Sequence, residues 1–208
     1  MSARERLLDA AIVLIRRQGL HATTVEQLCG HAEVTKGAFF HHFASKEASA
    51  IAAAEHWGAT TGAMFAHAAF HDASDPVERI MAYLDLRAVM ISGDPAEFSC
   101  LAGTMVQEAF ATAPDVRDAC AAAILGHAAT LEADFDAALD RLDPPPSGVT
   151  GASLARFTQT VLQGSFIMSK AGDDPQLALE GIDHLRRYLT VLLTLQTSPS
   201  ITTQGAHP

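Results

Sequence analysis

A chain of 208 residues, 49% of them hydrophobic, can bury a substantial core, which excludes the disordered and fibrous classes. Cys29, Cys100 and Cys120 stand at spacings that suggest neither a disulfide framework nor a cysteine zinc site, so no metal and no cofactor is expected. The formal net charge of −10 excludes a uniformly basic chain.

The charge is unevenly placed. Residues 1–55 balance Arg4, Arg6, Arg16, Arg17, Lys36 and Lys46 against Glu5, Asp9, Glu26, Glu33, Glu47 and Glu55, so the whole acidic excess lies beyond residue 55. A neutral N-terminal part can approach phosphate while an acidic remainder is repelled and helps to orient the approach. No charged segment followed by an apolar run opens the sequence, and no apolar run is long enough to span a bilayer, so a soluble cytoplasmic protein without a membrane partner is expected.

Over residues 4–18, Leu7, Leu8, Ala11, Ile12 and Ile15 recur at the spacing of one buried helical face, and Gly19 follows as a stop. Thr24 and Gln27 have the spacing of a capping box, which starts a second helix that runs to about His31 and buries Val25, Leu28 and Cys29. After Ala32, Glu33 and Val34, Thr35 caps a third helix through about His42 with Phe39 and Phe43 facing inward. Ser45 caps a fourth that begins at Lys46 and continues past Trp57. Three short helices with apolar faces turned together form a small bundle, and the tight link between the second and third offers a protruding helix to a DNA groove.

Beyond residue 55 the sequence is helical throughout, without strand signals. Asp75-Pro76, Gly93-Asp94-Pro95, Pro114-Asp115 and the stretches 144–148 and 172–175 divide it into five further segments. Residues 141–149 read as an exposed loop and those after about Thr197 as a mobile tail.

Residues 23–48, with Thr-Lys-Gly-Ala-Phe-Phe-His-His-Phe at 35–43 and Ser45-Lys46-Glu47 after it, resemble the DNA-binding signature of the TetR family, and residues 4–19 resemble its first helix. A weaker resemblance, through Cys100-Leu101-Ala102-Gly103 to Glu108 and through Leu162-Gln163-Gly164, extends to the effector and dimerisation region of some members. The resemblance implies an all-α chain of about nine helices. Its parts are a three-helix helix-turn-helix head (residues 1–47), an effector-binding and dimerisation body (48–197) and a disordered tail (198–208). The implied function is that of a homodimeric repressor, not an enzyme, released from double-stranded operator DNA by a small, mostly apolar effector.

Carried over residue by residue, Thr35, Lys36, Gly37, Ala38 and His41 face the groove. Lys36 is the candidate for guanine O6 or N7, or equally for a phosphate. Thr24, His42 and Lys46 match phosphate-contacting positions. Phe40 stands where the family usually has tyrosine, which removes a hydroxyl donor and leaves apolar contact. The family's last two helices pair with their symmetry mates as a four-helix bundle, for which Leu162, Gly164, Phe166, Ile182, Leu185, Leu189 and Leu192 are the candidates; as residues alone they read equally as monomer core. Met64, Phe65, Met81, Phe98, Met105, Phe110 and Phe166 are candidates for an apolar effector pocket, with Glu108 or His127 as the polar anchor.

Other readings compete. Cys100, with Lys170 as a conceivable neighbour, suits a thiol-based redox or electrophile sensor. His67 and His71, four apart on an expected helix with Asp72 beside them, have a metal-sharing spacing. An interaction protein without operator binding is a third class. Against an enzyme, the sequence has no Gly-rich phosphate loop, nucleophile elbow or metalloprotease motif.

Overall fold

Each of the first four helices begins on a side-chain cap. In the computed structural model, which describes residues 1–194, Ser2 accepts from Glu5 N ahead of α1 (Ala3–Gln18) and Thr24 from Gln27 N ahead of α2 (Val25–Ala32). Thr35 accepts from Ala38 N ahead of α3 (Lys36–His42), and Ser45 from Ala48 N ahead of α4 (Lys46–Ala66). Every cap satisfies a backbone donor that the helix cannot, a contribution of about 1 kcal/mol. For α3, two turns long, such local support matters because isolated helices of that length do not persist in water.

The body continues with a 3₁₀ turn (Ala69–Asp72), α5 (Pro76–Val89), α6 (Pro95–Phe98), α7 (Leu101–Ala109), α8 (Pro114–Ala129), α9 (Glu132–Leu139), α10 (Gly151–Gly172) and α11 (Gln176–Thr194). Two of the five expected segments are broken once more than the Pro and Gly punctuation implied. Ser99 is extended, and the Cys100 thiol accepts from Gly103 N at 3.4 Å to restart the chain as α7. The Thr130 hydroxyl donates to His127 O at 2.7 Å, a local bond that competes with the helical ladder and separates α8 from α9. The end of the expected body (195–197) and the tail (198–208) lie outside the described residues.

Two apolar clusters form the core. The first joins α1, α2 and α3 to α4, α7 and α8 around Leu8, Phe39, Ala53, Leu101 and Met105; the second joins the end of α4 to α5, α9, α10 and α11 around Tyr83, Phe135, Leu162 and Ile182. Helix α4 crosses residues 47 and 48 unbroken, so head and body share one cluster and one rod.

The expected dimer face needs correction here. Leu162, Phe166, Ile182, Leu185 and Leu189 are buried in the second cluster of their own chain, and Leu192 packs against it. Apolar stripes of α10 and α11 meet each other and α5, and the deepest positions are taken by that intramolecular packing. Of the seven candidates only Gly164 is exposed, with nothing within 4 Å of where a Cβ would stand.

Candidate nucleic-acid interface and effector cavities

Helix α3 is pinned from below and open above. Phe39 is fully buried and Phe43 nearly so, whereas Thr35, Lys36, Gly37, Phe40 and His41 are exposed and Ala38 and His42 half-buried. Phe40 is 57% exposed and stands edge-on to Phe39, ring centres 5.2 Å apart. A Cβ at Gly37 would meet only Thr35 Oγ1 at 3.7 Å, so nothing within the chain requires glycine there. A residue that weakens a short helix by about 1 kcal/mol, without an internal reason, fits a surface that something approaches closely.

The cations are partly engaged. Lys36 pairs with Glu26 of α2, both more than half exposed, a screened pair that exchanges readily for another anion. Thr24 is exposed and caps α2. Lys46 Nζ, expected to be a free phosphate contact, donates to Leu20 O (3.0 Å) and His21 O (3.4 Å), which leaves one of its three donors.

That same turn is held from the other side. Glu108 of α7 accepts from Leu20 N at 3.2 Å through Oε1 and from His21 N at 2.7 Å through Oε2, with His21 Nδ1 3.2 Å from that same Oε2. Gly19 makes the approach possible: its φ is +89°, and a Cβ there would collide with the Glu108 carboxylate. Glu108, expected as a pocket anchor, is thus first a strut between body and head. Nearby, Arg16 Nε donates to Ser99 O (2.7 Å), while Lys170 Nζ donates to Arg16 O (2.7 Å) and Thr104 Oγ1 (3.2 Å). Burial, with the Arg16 charge beside it, holds Lys170 below its usual range.

Three adjoining hollows lie behind these contacts. An outer cavity of about 620 Å³ between α4 and α8 is walled by alanines and glycines such as Gly58, Gly62, Ala122 and Gly126, with Phe65, Phe70 and His127 at its inner side. It shares Thr61, Phe65, Ala123 and His127 with an inner cavity of about 130 Å³ that also meets Arg16, Trp57, Arg87, Phe98, Cys100 and Phe166. A third, of about 270 Å³, touches Cys100, Glu108, Gln163, Phe166, Ile167 and Lys170.

Among the expected effector residues, the inner cavity therefore brings together Phe65, Phe98, Cys100 and Phe166. Met105 is wholly inside the first core cluster and Met81 packs against the second, while Met64 and Phe110 are 42% and 67% exposed and line no described cavity. Sequence reading missed Arg16, Trp57, Arg87 and Gln159. Arg87 carried a signal: it continues the buried stripe Ile80, Tyr83 and Leu84 of α5, an unusual place for a cation.

Inside the body, Gln159 Nε2 donates to Tyr83 Oη at 3.1 Å, and Tyr83 Oη lies 2.9 Å from His127 Nε2. The phenol hydrogen then serves the imidazole, which accepts through Nε2 in its neutral form. Burial, helped by the Arg87 charge, pushes His127 down from 6.5 to about 4. An unfolded chain takes up this proton first, so the group costs nothing above about pH 6.5. As pH falls from there to about 4, it removes stability on the order of 3 kcal/mol. His127→Gln is expected to flatten the fall of Tm across that window; an unchanged slope would show that the ring titrates normally.

The other special groups resolve simply. His67 ends α4 with Nδ1 2.8 Å from Ala63 O, and His71 sits on the 3₁₀ turn with Nε2 3.1 Å from Phe65 O, so the two do not share a helix. No group of three potential ligands occurs among the described residues. Burial pushes Cys120 up to about 12, which keeps it a thiol.

Residues 7–53 match the family model described as bacterial regulatory proteins, tetR family. Over 54 residues the chain is 37% identical to YerO, an uncharacterized HTH-type transcriptional regulator of Bacillus subtilis, covering 26% of this chain and 19% of that one. Over 46 residues it is 44% identical to the HTH-type transcriptional repressor KstR2 of Mycobacterium tuberculosis, covering 22% and 23%. It thus matches about a fifth of the length of these relatives. A solved TetR-family regulator from Agrobacterium tumefaciens shares the fold at a TM-score of 0.77 and 18% identity, over 89% of this chain and 96% of that one. The N-terminal segment of this chain is thus similar to the DNA-binding part of TetR-family regulators, and the whole chain shares their fold.

On a body of this fold the outward side of the last two helices is apolar as well. Phe157 and Met168 of α10 and Tyr188 and Val191 of α11 are 42% to 58% exposed, and the rings of Phe157 and Tyr188 meet edge-on at 5.3 Å. This stripe is exposed, whereas the other is buried within the chain.

Proposed function

We propose that the protein is a DNA-binding transcriptional repressor, working in the cytoplasm as a homodimer and released from its operator by a small molecule held in the body. The observation that carries this is the physical continuity between an exposed α3 and the inner cavity. Arg16 borders the cavity and is bonded to Ser99, while Glu108 and Lys46 grip the turn that leads into α2. No described helix is long and apolar enough to cross a membrane.

A helix about 10 to 12 Å wide fits a major groove of about 12 Å. Two heads related by a two-fold axis would read half-sites whose centres are ~34 to 36 Å apart, or a multiple of that. An effector changes that spacing only if it binds the two arrangements unequally, and reversing a 99:1 population takes about 5.5 kcal/mol.

The test is binding of purified protein to duplexes from its own genomic neighbourhood at several salt concentrations. Lys36→Ala is expected to lower discrimination at one base pair by about 1 to 3 kcal/mol. A protein that stays monomeric at micromolar concentration and binds none of these duplexes would refute the proposal. Phe40→Tyr is expected to tighten operator binding by about 0.5 to 1.5 kcal/mol, since the exposed ring can then donate to phosphate. No change in a competition assay would mean that the ring edge does not face the backbone.

One observation favours a second trigger at the same place. The Cys100 thiol caps α7 and borders both inner hollows, so modifying it would remove the cap and fill the cavity. In that case electrophiles release operator DNA from the wild type and not from Cys100→Ser.

A further inference from the structure

We infer that the effector is an amphiphilic organic anion, its carboxylate held by Arg87 in the inner cavity and its apolar part extending past Phe65 into the α4–α8 cavity. This rests on the reading above that the body binds an effector.

Arg87 is half-buried, whereas the other arginines without an oxygen partner among the described residues, Arg4, Arg17, Arg156 and Arg187, are exposed to water. The Arg87 guanidinium lies over the rings of Phe65 (5.3 Å) and Phe166 (5.7 Å), and among the described residues no carboxylate and no carbonyl engages it. Arg6, Arg16, Arg79, Arg117, Arg141 and Arg186, by contrast, each donate to an oxygen. Five N–H donors in a fixed fork, flanked by aromatic faces and poorly hydrated, suit a planar carboxylate.

Nothing else in the cavity neutralises it. Glu97 closes the capping box of α6, accepting from Asp94 N at 3.3 Å, and its charge acts on Arg16. Arg16 is itself stacked over Trp57 at 4.9 Å, and its Nε is spent on Ser99 O. His127 is neutral and contributes polarity without charge. The two arginines against one glutamate leave this small space with a positive field.

Size and lining dictate the rest of the ligand. The inner cavity of about 130 Å³ accommodates little more than a head group, while the adjoining 620 Å³ is walled mainly by alanine, glycine and phenylalanine. The two share Phe65 and His127 in their walls, so a chain that leaves Arg87 is directed toward the apolar space, which it enters by displacing these side chains.

The experiment titrates the full-length protein with hexanoate, octanoate, decanoate and 4-phenylbutyrate, and with the primary amide of each. Trp57, the chain's single tryptophan, borders the inner cavity and reports binding by its fluorescence, with calorimetry as a second measure. The acids are expected to bind about tenfold or more tightly than their amides, as loss of a charge-assisted pair implies. Affinity should rise with chain length. Arg87→Met should erase the acid preference while amide binding persists; Arg87→Gln, checked for native circular dichroism, serves if the methionine variant misfolds. Equal binding of acids and amides overturns the inference, as does an acid preference that survives both substitutions, or no binding by any probe at millimolar concentration. Operator affinity measured on the same samples separates the two readings. Acids that bind through Arg87 without loosening operator DNA would leave the anion site standing and remove its role in release. Amides that bind as well as acids and do release DNA would have the opposite meaning.

Discussion

Met168→Asp combined with Val191→Asp is expected to turn the protein into a folded monomer whose operator affinity is lower by roughly a hundredfold or more, the gain that two linked heads normally provide. The two side chains are 56% and 58% exposed, so the subunit itself loses little packing and its Tm should hold. Large apolar side chains exposed along two paired helices are a feature of surfaces that bind another protein. Burying them against a second copy would contribute about 1.5 to 3 kcal/mol for each large side chain, and two carboxylates on each partner reverse that by desolvation and mutual repulsion. Sedimentation measures the first effect and duplex titration the second. Leu189→Ala is the control with the opposite signature: Leu189 is fully buried, so about 2 to 5 kcal/mol of subunit stability is lost. A dimer that survives both aspartates would place the interface elsewhere.

The contrast between those two substitutions shows where sequence was legible. In the head, Thr24, Thr35 and Ser45 announce helix starts through chemistry a few residues long, and Phe39 and Phe43 occupy the inward positions that spacing assigns to them. On α10 and α11, apolar residues occupy the outward stripe as well as the inward one. Periodicity marks both stripes and cannot rank them, since the ranking depends on which neighbouring helix arrives first. Cavity residues were harder for the same reason. Met105 and Phe166 are both large apolar residues on helical faces, yet one is closed into the first cluster and the other borders the inner cavity. Arg87 and Gln159 are not legible as cavity residues because an apolar lining pattern carries no mark of the polar residues that give a pocket specificity. Glu108 borders the third hollow, but its bonds to the turn are not legible in sequence, because these partners are backbone N–H groups 87 and 88 residues away.

Glu108→Ala is therefore the variant expected to separate sensing from DNA binding. The turn at Leu20 and His21 has its two N–H groups on Glu108 of α7 and its two carbonyls on Lys46, the first residue of α4. A displacement of α7 that follows cavity filling must move this turn or break these bonds, and the turn sets where α2, and through it α3, sits. Charge-assisted hydrogen bonds contribute about 1.5 to 3 kcal/mol when well buried, and the Glu108 side chain is 27% exposed. The expected loss is thus about 1 to 2 kcal/mol, or roughly 2 to 8 °C in Tm for a chain of this size. Operator affinity without ligand should change little, because α3 stays pinned by Phe39 and Lys46 still holds the turn. The ratio of operator Kd values with and without a compound that stabilises the wild type should shrink toward one. Glu108→Gln retains one acceptor and should fall between. If Glu108→Ala keeps the full ligand response, the signal travels along α4 alone, whose unbroken course from Lys46 past Trp57 is the other physical route between cavity and head.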